Sequence, residues 1–166
     1  HVFGAAELGV PILAHRETRE RLITLAGYEW SNEALEYRVT TGEEITMCAE
    51  DIKVELPEPR TVTIALPTII FQNAVDVELS DVTCHIRHVG GDHANDSSVI
   101  HILPDNVLFL GDCLYPAIYA PVQHYTTEKL FPLLETLLAF DADFFIEGHN
   151  EIMMTRADFI LMAEKR

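Results

Sequence analysis

The sequence predicts an α+β fold in which a sheet layer is covered by helices. Three observations lead there. Apolar residues make up 48% and charged residues 23% of the 166, as in a globular chain able to bury a core. Strand-like apolar stretches bunch in the middle of the chain, between residues 68 and 110. Helical patterns occupy both ends. One domain over 1–166 is expected, carrying an acidic helical insert at about 16–56.

In chain order, Val2 to Leu8 read as a short helix stopped by Gly9, and Val10 to Ala14 as a short buried strand. Arg16 to Ala26 is helical up to Gly27. Ser31 is placed to cap a helix over Asn32 to Thr40, with Glu33 and Glu36 in its early turns. Glu43 to Lys53 reads as a further helix, and Pro57 and Pro59 then break the chain. Thr68 to Phe71 is a strand. Val75, Val77 and Leu79 alternate with Asp76, Glu78 and Ser80, the period of a strand with one polar face. Val82 to His88 forms a third strand, turning at Gly90-Gly91. Ser98 to Leu103 and Val107 to Leu110 pair across the turn Pro104-Asp105-Asn106. Thr126 or Thr127 starts a helix that runs to about Phe140. Phe144 to Ile146 is a buried strand, and Thr155 caps a last helix from Arg156. The chain opens on His1 and stops at Lys165-Arg166 inside a helical pattern, which reads as a piece of a longer protein.

Charge narrows the function classes. The chain has 11 Lys+Arg against 27 Asp+Glu, a net charge of −16. Such a field repels phosphate backbones and anionic lipid heads, so neither nucleic acid nor a membrane is expected as a partner. It attracts cations. No apolar run approaches the length of a membrane span. Cys48, Cys84 and Cys113 are odd in number and share no close spacing, which fits neither a disulfide scaffold nor a zinc ribbon. They read as inert thiols of a reducing, cytoplasmic compartment.

Three polar clusters each follow an apolar strand, where a rigid sheet holds loop residues still. The first is Gly90-Gly91-Asp92-His93-Ala94-Asn95-Asp96-Ser97-Ser98, the second Gly111-Asp112-Cys113, the third Gly148-His149-Asn150. Each has a Gly close before its His or Asp, which lets the backbone turn sharply. Two imidazoles and a carboxylate suit a borderline cation such as zinc. A lone His after a strand is more often a hydrogen-bonded surface residue, and a Gly-Asp pair more often a turn. Their recurrence in one order makes the metal reading.

That order carries a resemblance. His93-Ala94-Asn95-Asp96-Ser97 resembles the G-H-T-x-x-S segment of metallo-β-lactamase-fold hydrolases. Val107-Leu108-Phe109-Leu110-Gly111-Asp112 resembles their v-L-F-x-G-D segment, and Gly148-His149 their closing G-H. The opening His1-Val2-Phe3-Gly4 resembles the final His of their first motif, H-x-H-x-D-H, and the residues after it. The resemblance implies a metallo-β-lactamase-like αββα sandwich, here incomplete. The first two His and the Asp of that motif are not in this sequence, nor is the strand-rich half that precedes them.

The roles implied are specific. His93 matches a ligand of the first metal site, Asp112 the carboxylate serving or bridging the metals, and His149 and His1 ligands of the second site. Zinc is the implied ion, one or two of them, and iron or manganese suits the same donors. Metal-bound hydroxide would attack an ester, thioester, lactone or amide of a small-molecule substrate. Asp at position 112, where some true β-lactamases carry Cys, argues against an antibiotic-degrading enzyme of that kind. Asp92 stands where the family has Gly. It is either an acceptor orienting His93 or a charged turn residue. His88 is close enough in sequence to support His93. Tyr115 and Tyr119, in the loop after Asp112, either line a substrate pocket or plug a core, and Trp30 is either a lid or a core residue. The remaining histidines, His15, His85, His101 and His124, take no functional role. The alternative is a catalytically inactive fragment of the fold that self-associates, a second copy covering its exposed sheet.

Overall fold

The computed structural model describes residues 3–165, which divide into two compact units, 3–14 with 18–70 and 15–17 with 71–165. His1 lies outside the described residues. No described helix is long and apolar enough to cross a membrane.

The first unit is mainly helical. A 3-10 turn at Phe3–Leu8 ends at Gly9, whose φ of 63° is left-handed. Strand β1 (Leu13–His15) and strand β2 (Ile69–Phe71) form a two-stranded ribbon whose ends straddle the division between the units. Between them lie α1 (Arg16–Ala26), α2 (Asn32–Thr41) and α3 (Thr46–Glu55). Ser31 caps α2 as expected, its side chain accepting from the Ala34 N–H. Trp30, Leu35 and Ala49 form the core of this unit, joined by Phe3, Tyr28 and Ile52. Trp30 is therefore a core residue here, with Phe3 edge-on to its ring at 4.9 Å. The Arg38 guanidinium is buried beside it, 4.7 Å from the Tyr28 ring and 5.0 Å from Trp30.

The second unit is built on one six-stranded sheet. Its strands are β3 (Ala74–Leu79), β4 (Val82–His88), β5 (Ser98–Leu103), β6 (Val107–Gly111), β7 (Phe144–Glu147) and β8 (Met154–Thr155), in that spatial order. Pairs are antiparallel except β6 with β7, which are parallel and joined through α4 (Thr127–Leu138). The two hairpin turns place non-glycine residues at positive φ, Ser80 at 60° and Asn106 at 55°. The short strand β8 leads into α5 (Arg156–Ala163), whose cap is a reciprocal box between Thr155 and Asp158.

Register sorts the sheet into two faces. Val99, Leu108 and Phe145 point to one face and meet Leu130, Leu133, Leu134 and Leu137 of α4 and Phe159 of α5. Those leucines recur at i, i+3, i+4 and i+7, one stripe of a helix. Phe145 and Phe159 are fully buried and stack at 4.1 Å. Each such ring contributes roughly 1.5–3 kcal/mol by leaving water. The other face carries Val75, Ile86, Ile100, Phe109 and Ile146 in one cross-strand row and Val77, Cys84, Ile102, Val107 and Phe144 in the next.

Candidate metal centre

Chain direction brings the three polar clusters to one end of the sheet. β4 and β6 are each antiparallel to β5, and β7 is parallel to β6, so all three point the same way. His93 follows β4, Asp112 follows β6 and His149 follows β7. Loops at the carboxyl ends of such strands are where α/β sheets gather ligands.

The three side chains converge on one atom. Asp112 Oδ2 lies 3.3 Å from His149 Nε2 and 3.7 Å from His93 Nε2. The Asp112 and His93 side chains are largely buried, whereas His149 is 60% exposed, leaving one side open. His93 Nδ1 donates to the Pro116 carbonyl at 3.3 Å, and a carbonyl can only accept. In the neutral ring the proton is thus on Nδ1, and Nε2 turns a lone pair toward the carboxylate. A ring nitrogen with a lone pair and a carboxylate oxygen are both of the kind that ligate metal ions. Among the described residues, no group of three or more His, Cys, Asp or Glu side chains is arranged to hold a metal ion as it stands.

Two glycines let the loops approach this closely. A Cβ on Gly148 would run into Asp112 Oδ1 and lie 3.2 Å from the Gly111 carbonyl carbon. The Gly148 N–H donates to the Gly111 carbonyl at 2.8 Å, fastening the second cluster to the third. Gly91 has a φ of 143°, and a Cβ there would stand 2.8 Å from the Cys113 carbonyl oxygen. The sequence marked both only as turn residues.

Helix α4 braces the His93 loop. The Asp92 carboxylate accepts from the Thr126 N–H at 2.8 Å and from its hydroxyl at 2.9 Å, at the positive end of the helix. Lys129 Nζ donates to the Gly91 carbonyl at 3.3 Å and to Asn95 Oδ1 at 3.0 Å. Of the two readings of Asp92, its hydrogen bonds run to the helix, while the Pro116 carbonyl receives the His93 proton. His88 supports the same loop, donating from Nε2 to the Asn95 carbonyl at 2.7 Å, with its ring stacked on His15 at 4.3 Å.

Tyr115 stands edge-on to both imidazoles, its ring centroid 6.0 Å from His93 and 5.7 Å from His149. Tyr119, further along the same loop, is 54% exposed and so plugs no core. A cavity of about 320 Å³ is lined by Tyr125, Thr126, Thr127, Leu130 and Phe131, and by none of the three converging residues. Cys113, next to Asp112, is buried, and burial, with the charges of Glu147 and Asp112, pushes its thiol up to about 12. It stays a neutral thiol at physiological pH.

No family model and no curated protein matches this sequence. Solved structures do match. A metallo-beta-lactamase superfamily protein from the archaeon Sulfolobus tokodaii aligns with a TM-score of 0.55 at 13% identity, over 98% of this chain and 60% of that one. A metallo-beta-lactamase family protein from Thermus thermophilus aligns with a TM-score of 0.59 at 16% identity, over 99% of this chain and 56% of that one. The BLEG-1 B3 metallo-beta-lactamase aligns with a TM-score of 0.57 at 18% identity, over 92% of this chain and 63% of that one. The chain thus spans 56–63% of the length of these structures. It has the α+β metallo-β-lactamase fold, represented over that share of its neighbours' length.

Proposed function

We propose that this chain forms part of a metal-dependent hydrolase of the metallo-β-lactamase superfamily, acting on an ester, thioester, lactone or amide. The observation that carries the reading is the convergence of His93 and His149 on Asp112 Oδ2. Two imidazoles and a carboxylate are donor types that zinc takes. Two ligands each about 2.1 Å from a tetrahedral ion stand about 3.4 Å apart. The two separations of 3.3 and 3.7 Å bracket that value. His93 Nε2, Asp112 Oδ2 and His149 Nε2 would hold one ion, and iron or manganese would use the same atoms. His1 is a ligand that the resemblance implies for the second metal site.

Zinc bound there supplies a Lewis acid that polarises a carbonyl oxygen and acidifies water. The chain's own residues supply the rest. The Pro116 carbonyl fixes the His93 tautomer so that Nε2 is the donor atom. Gly148 leaves room for the Asp112 carboxylate, and α4 holds the His93 loop through Asp92 and Lys129. Tyr115 walls the space beside both imidazoles and leaves the His149 side open to substrate. The net charge of −16 favours a neutral or cationic small-molecule substrate over nucleic acid. Three cysteines outside any disulfide suit a reducing, cytoplasmic setting.

The test is hydrolysis of ester and thioester substrates by the zinc-loaded chain and by Asp112→Ala. The reading expects zinc-dependent turnover that the variant lacks while keeping the same circular dichroism. A zinc-loaded chain without turnover on these two classes or on lactone and amide substrates, or turnover retained by the variant, would overturn it.

A second reading, a self-associating scaffold without activity, draws on the sheet face opposite the helices. Its rows are apolar, with Leu79 56% and Phe109 37% exposed. A second copy of the chain would cover such a face. Light scattering that returns a dimer, from a chain that retains no metal, would favour this reading over the first.

A further inference from the structure

Register places a second histidine pair level with Leu108 on β6, four residues before Asp112. His85 on β4 is directly opposite His101 on β5, and Asp76 on β3 is directly opposite His85. All three therefore lie on one face of three adjacent strands. The two imidazole centroids are 6.4 Å apart, with the planes tilted at 48°.

The hydrogen bonds fix which nitrogen of each ring is available. His85 Nδ1 meets Asp76 Oδ1 at 2.7 Å. A carboxylate only accepts, so the proton is on Nδ1 and Nε2 keeps its lone pair. His101 Nε2 meets Asn106 Oδ1 at 2.7 Å, while Asn106 Nδ2 donates to Asp143 Oδ2 at 3.0 Å. The Asp143 carboxylate thereby sets the Asn106 amide, whose oxygen must face His101. His101 then carries its proton on Nε2 and keeps the lone pair on Nδ1. Each ring donates its N–H to an oxygen acceptor and retains one unbound nitrogen, the form in which histidine binds metal ions.

We infer that His85 and His101 form a second metal site, for copper(II) bound trans between the two rings. Two imidazoles held trans on one ion have centroids about 6.5 Å apart, from a metal–nitrogen bond of about 2.1 Å and roughly 1.2 Å from nitrogen to ring centre, an arrangement open to square-planar copper(II) and closed to tetrahedral zinc. The observed 6.4 Å matches the trans arrangement. Imidazole donors rank copper(II) above nickel and zinc. Two protein ligands leave the remaining positions to water, so this ion exchanges readily. Asp76 and Asn106 are positioning residues that act through the rings. The pair is independent of the Asp112 centre, and His85 is 41% exposed, open to an ion from solvent.

The probe is copper(II) chloride, titrated into the full chain carrying His93→Asn and His149→Asn, which removes the imidazoles of the other centre. Electron paramagnetic resonance counts the coordinating nitrogens, and thermal melting by circular dichroism checks the fold. The inference expects one copper with two imidazole nitrogens. His85→Asn and His101→Asn should each weaken binding at least tenfold, and Asp76→Asn by about 10–100-fold. His85 is half-exposed, so its variant tests the site even if His101→Asn unfolds. Copper bound equally well without His85, for example at the stacked His15–His88 pair, overturns the inference. So does a bound copper with only one imidazole nitrogen.

Discussion

Gly148→Ala separates positioning of the Asp112 carboxylate from its mere presence. The Gly148 backbone is not left-handed, so alanine is allowed there by conformation. The added methyl acts by contact alone. It would overlap Asp112 Oδ1 and stand 3.2 Å from the Gly111 carbonyl carbon. The Gly111 backbone is held by the 2.8 Å bond from the Gly148 N–H, so the carboxylate has to turn away. Turning it moves Oδ2, the atom on which His93 and His149 converge. Misorienting a ligand in this way weakens metal binding about 10–100-fold, or roughly 1.4–2.7 kcal/mol. Folding stability should fall by only about 1 kcal/mol, because one flexible side chain can yield. Zinc affinity is read by competition with a chromogenic chelator, and stability by urea unfolding. Gly4→Ala, with nothing within 4 Å of the added methyl, is the control. Equal zinc affinity in a folded Gly148→Ala protein would refute the positioning argument.

Packing and hydrogen bonds carry three further expected outcomes. Phe159→Ala empties a fully buried site stacked at 4.1 Å on Phe145, and should cost about 3–5 kcal/mol in urea unfolding; a cost below about 1 kcal/mol would mean that α5 does not close the core. Asp92→Ala strips Thr126 of both hydrogen bonds and should cost about 1–2 kcal/mol, with zinc affinity falling as the His93 loop loosens; unchanged stability and affinity would deny the bracing role. The Thr155 hydroxyl and N–H hold the Asp158 carboxyl below its ordinary value of 3.8. A lowered carboxyl stabilises the fold above the unfolded value, and that share is lost as pH falls through the folded one. Thr155→Ala should therefore flatten the acid limb of stability against pH, and an identical limb in both proteins would contradict the cap.

Local pattern made most elements legible. Alternation at Val75, Val77 and Leu79 gave β3, and Ser31, Thr126 and Thr155 marked helix starts that the structure keeps. Long-range pairing was not legible. β8 has two residues, too few for any period, and the parallel pairing of β6 with β7 depends on a crossover through α4. The meeting of His93, Asp112 and His149 was readable as three strand-end clusters, but their convergence follows from strand direction. The parts that hold them were hidden. Asp92 reaches Thr126 across 34 residues, and the space Gly148 leaves exists only once the Asp112 loop lies against it. The opposition of His85 and His101 depends on the register of one hairpin, where a shift of one residue would put them on opposite faces.

The most direct measurement is zinc content per chain after exhaustive dialysis, combined with zinc-edge X-ray absorption, for the wild type, Asp112→Ala and the His93→Asn, His149→Asn pair. The account predicts one retained zinc with two imidazole nitrogens and a carboxylate oxygen, lost in both variants. No zinc in the wild type, or zinc held equally well by the variants, would contradict a metal centre built on Asp112.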